Sequence, residues 1–207
     1  MKKLMIAAAA VLFSFGAYAQ TSSTGFGVKA GVNLPNYHVS NVDTKSDMAT
    51  NFHVTAYADV PVNALFSVQP GVSLQGKGTK YSQGEFGTYT QNTMWVEIPV
   101  NAVVKLPSMG AGHFYLGAGP YAALGISGKN KFDGDGSIEF EDDFEFGKDK
   151  TQKGFDAGVN FLVGYQLGNG VNIGAGYGLG LANLAPENPM DIKLHNRVLS
   201  FSVGFAL

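Results

Sequence analysis

The chain has 207 residues, 45% hydrophobic and only 14% charged, where soluble domains carry about 25% charged residues. A formal charge of −2 with no basic stripe excludes a nucleic-acid binder, and the ample apolar content excludes disorder. The absence of Cys removes disulfides, thiolate metal sites and a cysteine nucleophile, while 28 Gly in so charge-poor a chain suit a fold whose outer surface meets lipid.

Residues 1–19 read as a secretory signal peptide. Lys2 and Lys3 form the basic start, residues 4–15 an apolar stretch too short to span a bilayer, and Ala17-Tyr18-Ala19 a small-x-small cleavage site. The mature domain is then 20–207, and losing Lys2 and Lys3 takes its formal charge from −2 to about −4.

The mature chain alternates apolar and polar residues with a period of two, which predicts about eight strands of roughly ten residues, long enough to cross a bilayer when tilted. In the first, Phe26, Val28, Ala30 and Val32 oppose Gly27, Lys29, Gly31 and Asn33; in the second, Phe52, Val54 and Ala56 oppose His53, Thr55, Tyr57 and Asp59. The third sets Phe66, Val68, Pro70, Val72 and Leu74 against Ser67, Gln69, Gly71, Ser73 and Gln75. The fourth sets Val96, Ile98, Val100, Ala102 and Val104 against Trp95, Glu97, Pro99, Asn101 and Lys105. Phe114, Leu116, Ala118, Pro120 and Ala122 face away from Tyr115, Gly117, Gly119 and Tyr121, and Phe155, Val159, Phe161 and Val163 from Asp156, Gly158 and Asn160. Residues 157–186 hold no charge, yet their alternating Gly and the period of two make a strand of 171–181 rather than a membrane helix. Leu199, Phe201, Val203, Phe205 and Leu207 close the series.

Short links are expected at 61–64, 107–112 and 168–170, and long polar links at 35–51, 76–91, 127–153 and 183–193. That alternation is the pattern of tight periplasmic turns and longer external loops, and it puts both termini at the periplasmic end. Aromatics Phe26, Phe66, Phe114, Tyr165 and Phe205 start or end strands at that side, with Phe52 and Phe155 at the opposite rim.

In hydrocarbon every backbone polar group needs an internal partner, so the strands must close into a barrel, and eight strands leave a lumen that side chains fill. Inward Lys29, Asp59, Glu97, Lys105 and Asp156 are of mixed sign and are expected to form one internal ion-pair network, because buried charges pair. Pro70, Pro99 and Pro120 interrupt proposed strands, where bulges or kinks and a register offset are expected.

The link at 127–153 holds Asp133, Asp135, Glu139, Glu141, Asp142, Asp143, Glu145 and Asp149, eight of the 16 acids. Asp133-Gly134-Asp135-Gly136-Ser137 starts like a calcium loop, but Ile138 and Phe144 occupy the positions of its Gly and bidentate Glu, so a solvated loop is expected. Phe140, Phe144 and Phe146 alternate with acids, so the strands are expected to continue as an external hairpin. Asp133, Asp135, Phe140, Asp142, Asp143 and Phe144 are the candidate binding surface. His38, His53, His113 and His195 lack metal-ligand spacing, and no nucleophile elbow or phosphate loop is present, so neither catalytic residue nor cofactor is assigned.

Three stretches resemble the PorT-like outer-membrane β-barrel family, related to the small OmpA- and OmpX-type barrels. They are Trp95-Val96-Glu97-Ile98-Pro99-Val100 with Lys105, the glycine-alternating 174–181, and the closing 197–205. The resemblance implies that the barrel-assembly machinery reads the C-terminal strand, in which Phe205 stands two residues before Leu207.

The expected protein is therefore an all-β, eight-stranded antiparallel up-and-down transmembrane β-barrel in the outer membrane of a Gram-negative cell. It is not read as an enzyme. Its role is structural, or adhesive and protein-binding through external loops, with a lumen plugged by side chains. Expected partners are outer-membrane lipid or lipopolysaccharide, the assembly machinery, and an external or periplasmic protein, with no nucleic acid. A secretion or gliding accessory barrel is the rival that the resemblance implies, and an outer-leaflet lipid-modifying enzyme is a second rival.

Overall fold

A computed structural model of the chain describes residues 24–40, 46–82, 87–108, 110–134, 139–147, 150–186 and 192–207. The expected signal peptide lies outside them. Among the described residues nine strands follow one another: β1 (Gly25–Ser40), β2 (Asn51–Pro61), β3 (Phe66–Ser82), β4 (Thr88–Pro107), β5 (His113–Asp133), β6 (Glu139–Asp143), β7 (Phe155–Gln166), β8 (Val171–Gly180) and β9 (Lys193–Ala206). All pairings are antiparallel. Chain neighbours pair in turn, β5 reaches past β6 to β7, and β9 returns to β1, so eight strands close a ring with no free edge.

The alternation sorts the wall. Phe26, Val32, Phe52, Phe114, Phe161, Ile173 and Val203 stand exposed on the outside, while Asn33, Thr55, Ser73, Trp95, Glu97 and Asp156 are buried inside. A water-soluble protein of this size would hide such a continuous apolar surface; in a bilayer it is the favourable face. The turn from β7 to β8 is tight: Leu167 N–H donates to Val171 O, Gly170 N–H donates to Leu167 O, and Gly170 takes a φ of +91° that favours glycine. From β2 to β3, Asn63 Oδ1 accepts from the N–H groups of Leu65 and Phe66.

Several expectations are corrected here. The long link at 76–91 is largely sheet, because β3 and β4 run on past the apolar band, whereas in 127–153 β5 runs on to Asp133 and pairs with β6 as the expected hairpin continuation. The strands of the ring are accordingly 10 to 21 residues long, not uniformly near ten. The prolines cause no register offset. Beside Pro70 the β2–β3 ladder skips Ala58 and Asp59, beside Pro99 the β3–β4 ladder skips Gly71 and Val72, and beside Pro120 the β4–β5 ladder skips Val100 and Asn101. Each ladder then resumes in the same register. A proline removes one donor, and neighbours on both sides of a closed wall hold the strand in place across the gap. The register shifts instead between Met94 and Trp95, where Ile126 is the extra residue on β5.

That bulge also marks a change of surface. Below it the outward residues of β5 are Phe114, Leu116, Ala118, Pro120, Ala122, Leu124 and Ile126; beyond it they are Ser127, Lys129, Lys131 and Asp133.

Candidate functional site

The inward face divides into three levels between the long-link end and the short-turn end. At the long-link end, residues 144–147, 150–153 and 182–186 fold back into the mouth of the ring. Leu184 is fully buried with Tyr37, Trp95 and Tyr121, and Phe146 packs on this cluster. The Phe146 ring meets Trp95 edge-on at 5.0 Å and Phe144 at 5.1 Å. Glycine makes the space: a Cβ on Gly125 would fall 2.6 Å from the Phe146 ring, and one on Gly128 would fall 2.9 Å from Phe144. Gln152 Oε1 accepts from the Tyr37 hydroxyl at 3.1 Å and from Gln91 Nε2 at 2.9 Å, tying the inserted segment to β1 and β4.

At mid-height Lys77 is 2% exposed and carries the charge cluster. Its Nζ lies 3.0 Å from Glu97 Oε2 and 3.0 Å from Asp156 Oδ2, and 4.5 Å from the centroid of the Tyr121 ring. Asp156 Oδ2 also accepts from the Tyr121 hydroxyl at 3.1 Å and Asn196 Nδ2 at 2.9 Å, and Asn160 Nδ2 donates to Glu97 Oε1 at 3.0 Å. The cluster therefore joins β3, β4, β5, β7 and β9 through the middle of the ring.

Toward the short-turn end the interior loosens. Asp59 forms an ion pair with Lys105 and accepts from Gln69 Nε2. A cavity of about 60 Å³ is lined by Lys29, His53, Tyr57, Glu97, Asn101 and Tyr115, and a smaller one of about 20 Å³ by Lys29, Lys105, His113 and Asn172. The Lys29 Nζ stands 5.9 Å from the Tyr57 ring centroid. Tyr57 and Tyr115 fit because glycines face them: a Cβ on Gly27 would lie 2.3 Å from Tyr57, and one on Gly174 would lie 2.4 Å from the Tyr115 hydroxyl.

All five expected interior charges thus face inward, but as two separate sets rather than one network. Glu97 and Asp156 share Lys77, Asp59 pairs with Lys105, and Lys29 has no carboxylate within ion-pair distance among the described residues. The sequence reading missed Lys77, because it ended the third strand before Gly76. The continued alternation of Gln75, Lys77 and Thr79 with Gly76 and Gly78 was the available signal.

On the other side of the bulge, β3, β4, β5 and β6 form a sheet standing above the apolar band. Asp133 ends β5 in an ion pair with Lys131. Phe140, Asp142 and Asp143 lie on β6, with Phe140 67% exposed. Asp135 lies outside the described residues. Phe144, expected on the binding surface, is instead buried against Phe146 and so is withdrawn from it. Lys129 hydrogen-bonds and ion-pairs with Glu141, and this holds the Glu141 carboxyl below its ordinary value of 4.5 and raises the Lys129 ammonium. Asp142 and Asp143 have no cation within ion-pair distance among the described residues. Among the described residues no further strand pairs with β6, so one edge of this sheet offers backbone groups without a ladder partner there.

The family described as outer membrane protein beta-barrel domain matches residues 5–206. No curated protein matches the chain. Among solved structures it is similar to Neisserial surface protein A (NspA), with 15% identity over 89% of this chain and 99% of that one and a TM-score of 0.47. It is similar to Ail, the attachment invasion locus protein of Yersinia pestis, at 13% identity over 89% and 100% with a TM-score of 0.42. The outer membrane protein OprG from Pseudomonas aeruginosa gives 12% identity over 88% and 95% with a TM-score of 0.45.

Proposed function

The chain belongs to the outer-membrane protein β-barrel family, and from that membership we propose that it works as a non-enzymatic, plugged barrel that presents its raised sheet to an external protein. The observation that carries this reading is the free edge of β6. It stands beyond the apolar band, on a sheet anchored by strands that continue into the membrane wall. A rigid, unpaired edge is a template for strand addition, with main-chain bonds giving affinity and side chains giving selectivity. Exposed Phe140, flanked by Glu139, Glu141, Asp142 and Asp143, favours a basic extended segment with an apolar residue opposite the ring.

The plug reading is supported by the full burial of Trp95 and Leu184 together with the Lys77 cluster beneath them, side chains that stack across the lumen. Orientation follows from the family pattern of short periplasmic turns and longer external loops.

The test uses the barrel in lipid nanodiscs with two synthetic peptides, one alternating Lys with Val and one alternating Glu with Val. Binding of the basic peptide with shifts of the Phe140–Asp143 amide resonances is expected. No shift, or equal binding of the acidic peptide, overturns the reading. Planar-bilayer recording is expected to show no sustained conductance, and a stable open channel would refute the plug.

A further inference from the structure

Three lysines and one carboxylate line the two cavities of the lumen. Lys29, Lys77 and Glu97 stand on the wall of the larger one, and Lys29 and Lys105 on the wall of the smaller. Asp59 and Asp156 line neither, because Asp59 turns to Lys105 and Gln69, and Asp156 to Lys77, Tyr121 and Asn196. The cavities are therefore walled by cations in excess, inside a sheath that sits in hydrocarbon. Low-dielectric walls of one sign focus the field and concentrate counter-ions.

Lys29 is the charged residue common to both cavities. Its ammonium makes no hydrogen bond or ion pair among the described residues and stands 5.9 Å from the Tyr57 ring centroid. Glu97 is already engaged: Oε2 lies 3.0 Å from Lys77 Nζ, and Oε1 accepts from Asn160 Nδ2 at 3.0 Å. Asn101, 6% exposed, lines the larger cavity, and its side-chain amide has no partner among the described residues. Asn101 Oδ1 is sealed, which leaves Nδ2 to face the cavity. The Tyr115 hydroxyl also lines both cavities without a hydrogen-bond acceptor among the described residues. An ammonium, an amide and a phenol thus converge as donors with nothing to receive them, an arrangement that costs free energy until an acceptor is supplied. At ~10–15 Å³ for each water-sized occupant, a cavity of about 60 Å³ holds a monatomic anion with a few waters and excludes a six-carbon acid.

We propose that the lumen binds one small monovalent anion of halide size between Lys29 Nζ, Asn101 Nδ2 and the Tyr115 hydroxyl. The ion enters from the short-turn end, where the Lys105 side chain is 25% exposed. Buried Lys77, Trp95 and Leu184 stand above the site, so it is a blind end and not a passage. The proposal does not involve the β6 edge and stands or falls separately from it.

The experiment titrates sodium chloride into the barrel in zwitterionic micelles, with ionic strength held constant by sodium gluconate. It follows the chloride NMR linewidth and the urea unfolding midpoint. The wild type is expected to show a saturable excess linewidth that bromide displaces, and a higher midpoint in chloride than in gluconate. Lys29→Met is expected to abolish the saturable part, and Asn101→Ala to weaken binding about tenfold. Lys150→Gln, which removes an exposed lysine at the long-link end, is expected to leave it unchanged. The difference between chloride and gluconate in the wild type needs no variant to fold. A linewidth that never saturates, or a midpoint raised as far by gluconate, overturns the proposal. So does saturable binding that survives Lys29→Met, or that Lys150→Gln reduces as much.

Discussion

Lys77 Nζ and Asp156 Oδ2 meet at 3.0 Å although 79 residues separate them, and they join β3 to β7, two strands that share no ladder, through the centre of the ring. Glu97 completes the set from β4. Removing the cation alone leaves two buried carboxylates unpaired. Lys77→Met is therefore expected to destabilise the barrel by ~3–5 kcal/mol. The triple change Lys77→Met, Glu97→Gln, Asp156→Asn should recover most of that loss. Urea unfolding in micelles checks it, and a triple variant as unstable as the single would refute the account.

Gly174 and Tyr115 form a socket in which a Cβ would stand 2.4 Å from the phenol oxygen. Gly174→Ala is expected to cost ~1–3 kcal/mol by overpacking. Adding Tyr115→Phe removes the offending oxygen, so the double variant should be less destabilised than the two single effects added together. A double-mutant cycle from unfolding curves measures this, and strict additivity would count against the socket.

The Glu141–Lys129 pair makes the raised sheet sensitive to acid. The folded-state value of Glu141 is depressed below 4.5, so its contribution is present at neutral pH. It is lost as pH falls through that depressed value. Amide signals of Lys129 and Glu141 should therefore shift as the pair titrates, with little change of fold because both side chains are exposed, while those of β7–β9 stay in place. NMR of the micelle-bound protein between neutral and acid pH reads this directly, and Glu141→Gln should remove the transition.

The bulge beside Ile126 predicts opposite outcomes for one substitution on its two sides. Val159→Arg, on the lipid face of β7, should cost ~2–4 kcal/mol near mid-depth. Thr90→Arg, on the outward face of β4 above the bulge, should change stability by less than about 0.5 kcal/mol. Folded fraction by heat-modifiable gel migration and urea midpoints would separate the two, and similar losses would misplace the boundary.

Where lipid contacts the wall, the sequence was highly legible: Phe26 to Val32 or Phe201 to Phe205 alternate against small and polar residues because one side must be apolar and the other must fit a narrow lumen. Above the bilayer that contrast disappears. Residues 76–81 and 127–133 still alternate in direction, but apart from Tyr81 and Phe132 both of their faces are polar or small, so strand and loop read alike and Lys77 was lost with them. Phe144 and Phe146 were misread for a different reason. Aromatics among acids resemble an exposed hairpin, and only the distant glycines Gly125 and Gly128 reveal that there is room to fold them inward. The prolines were over-read, since a closed wall tolerates a two-pair gap without slipping.

The seam at which Gly27 lies beside Ala206 and Ser40 beside Lys193 has a consequence for biogenesis. Its two halves are the earliest and latest strands made, so a nascent chain halted anywhere before β9 has a gap where hydrocarbon would touch bare peptide groups. A chain lacking β9 is therefore expected to remain unassembled, because β1 and β8 would meet lipid with open edges.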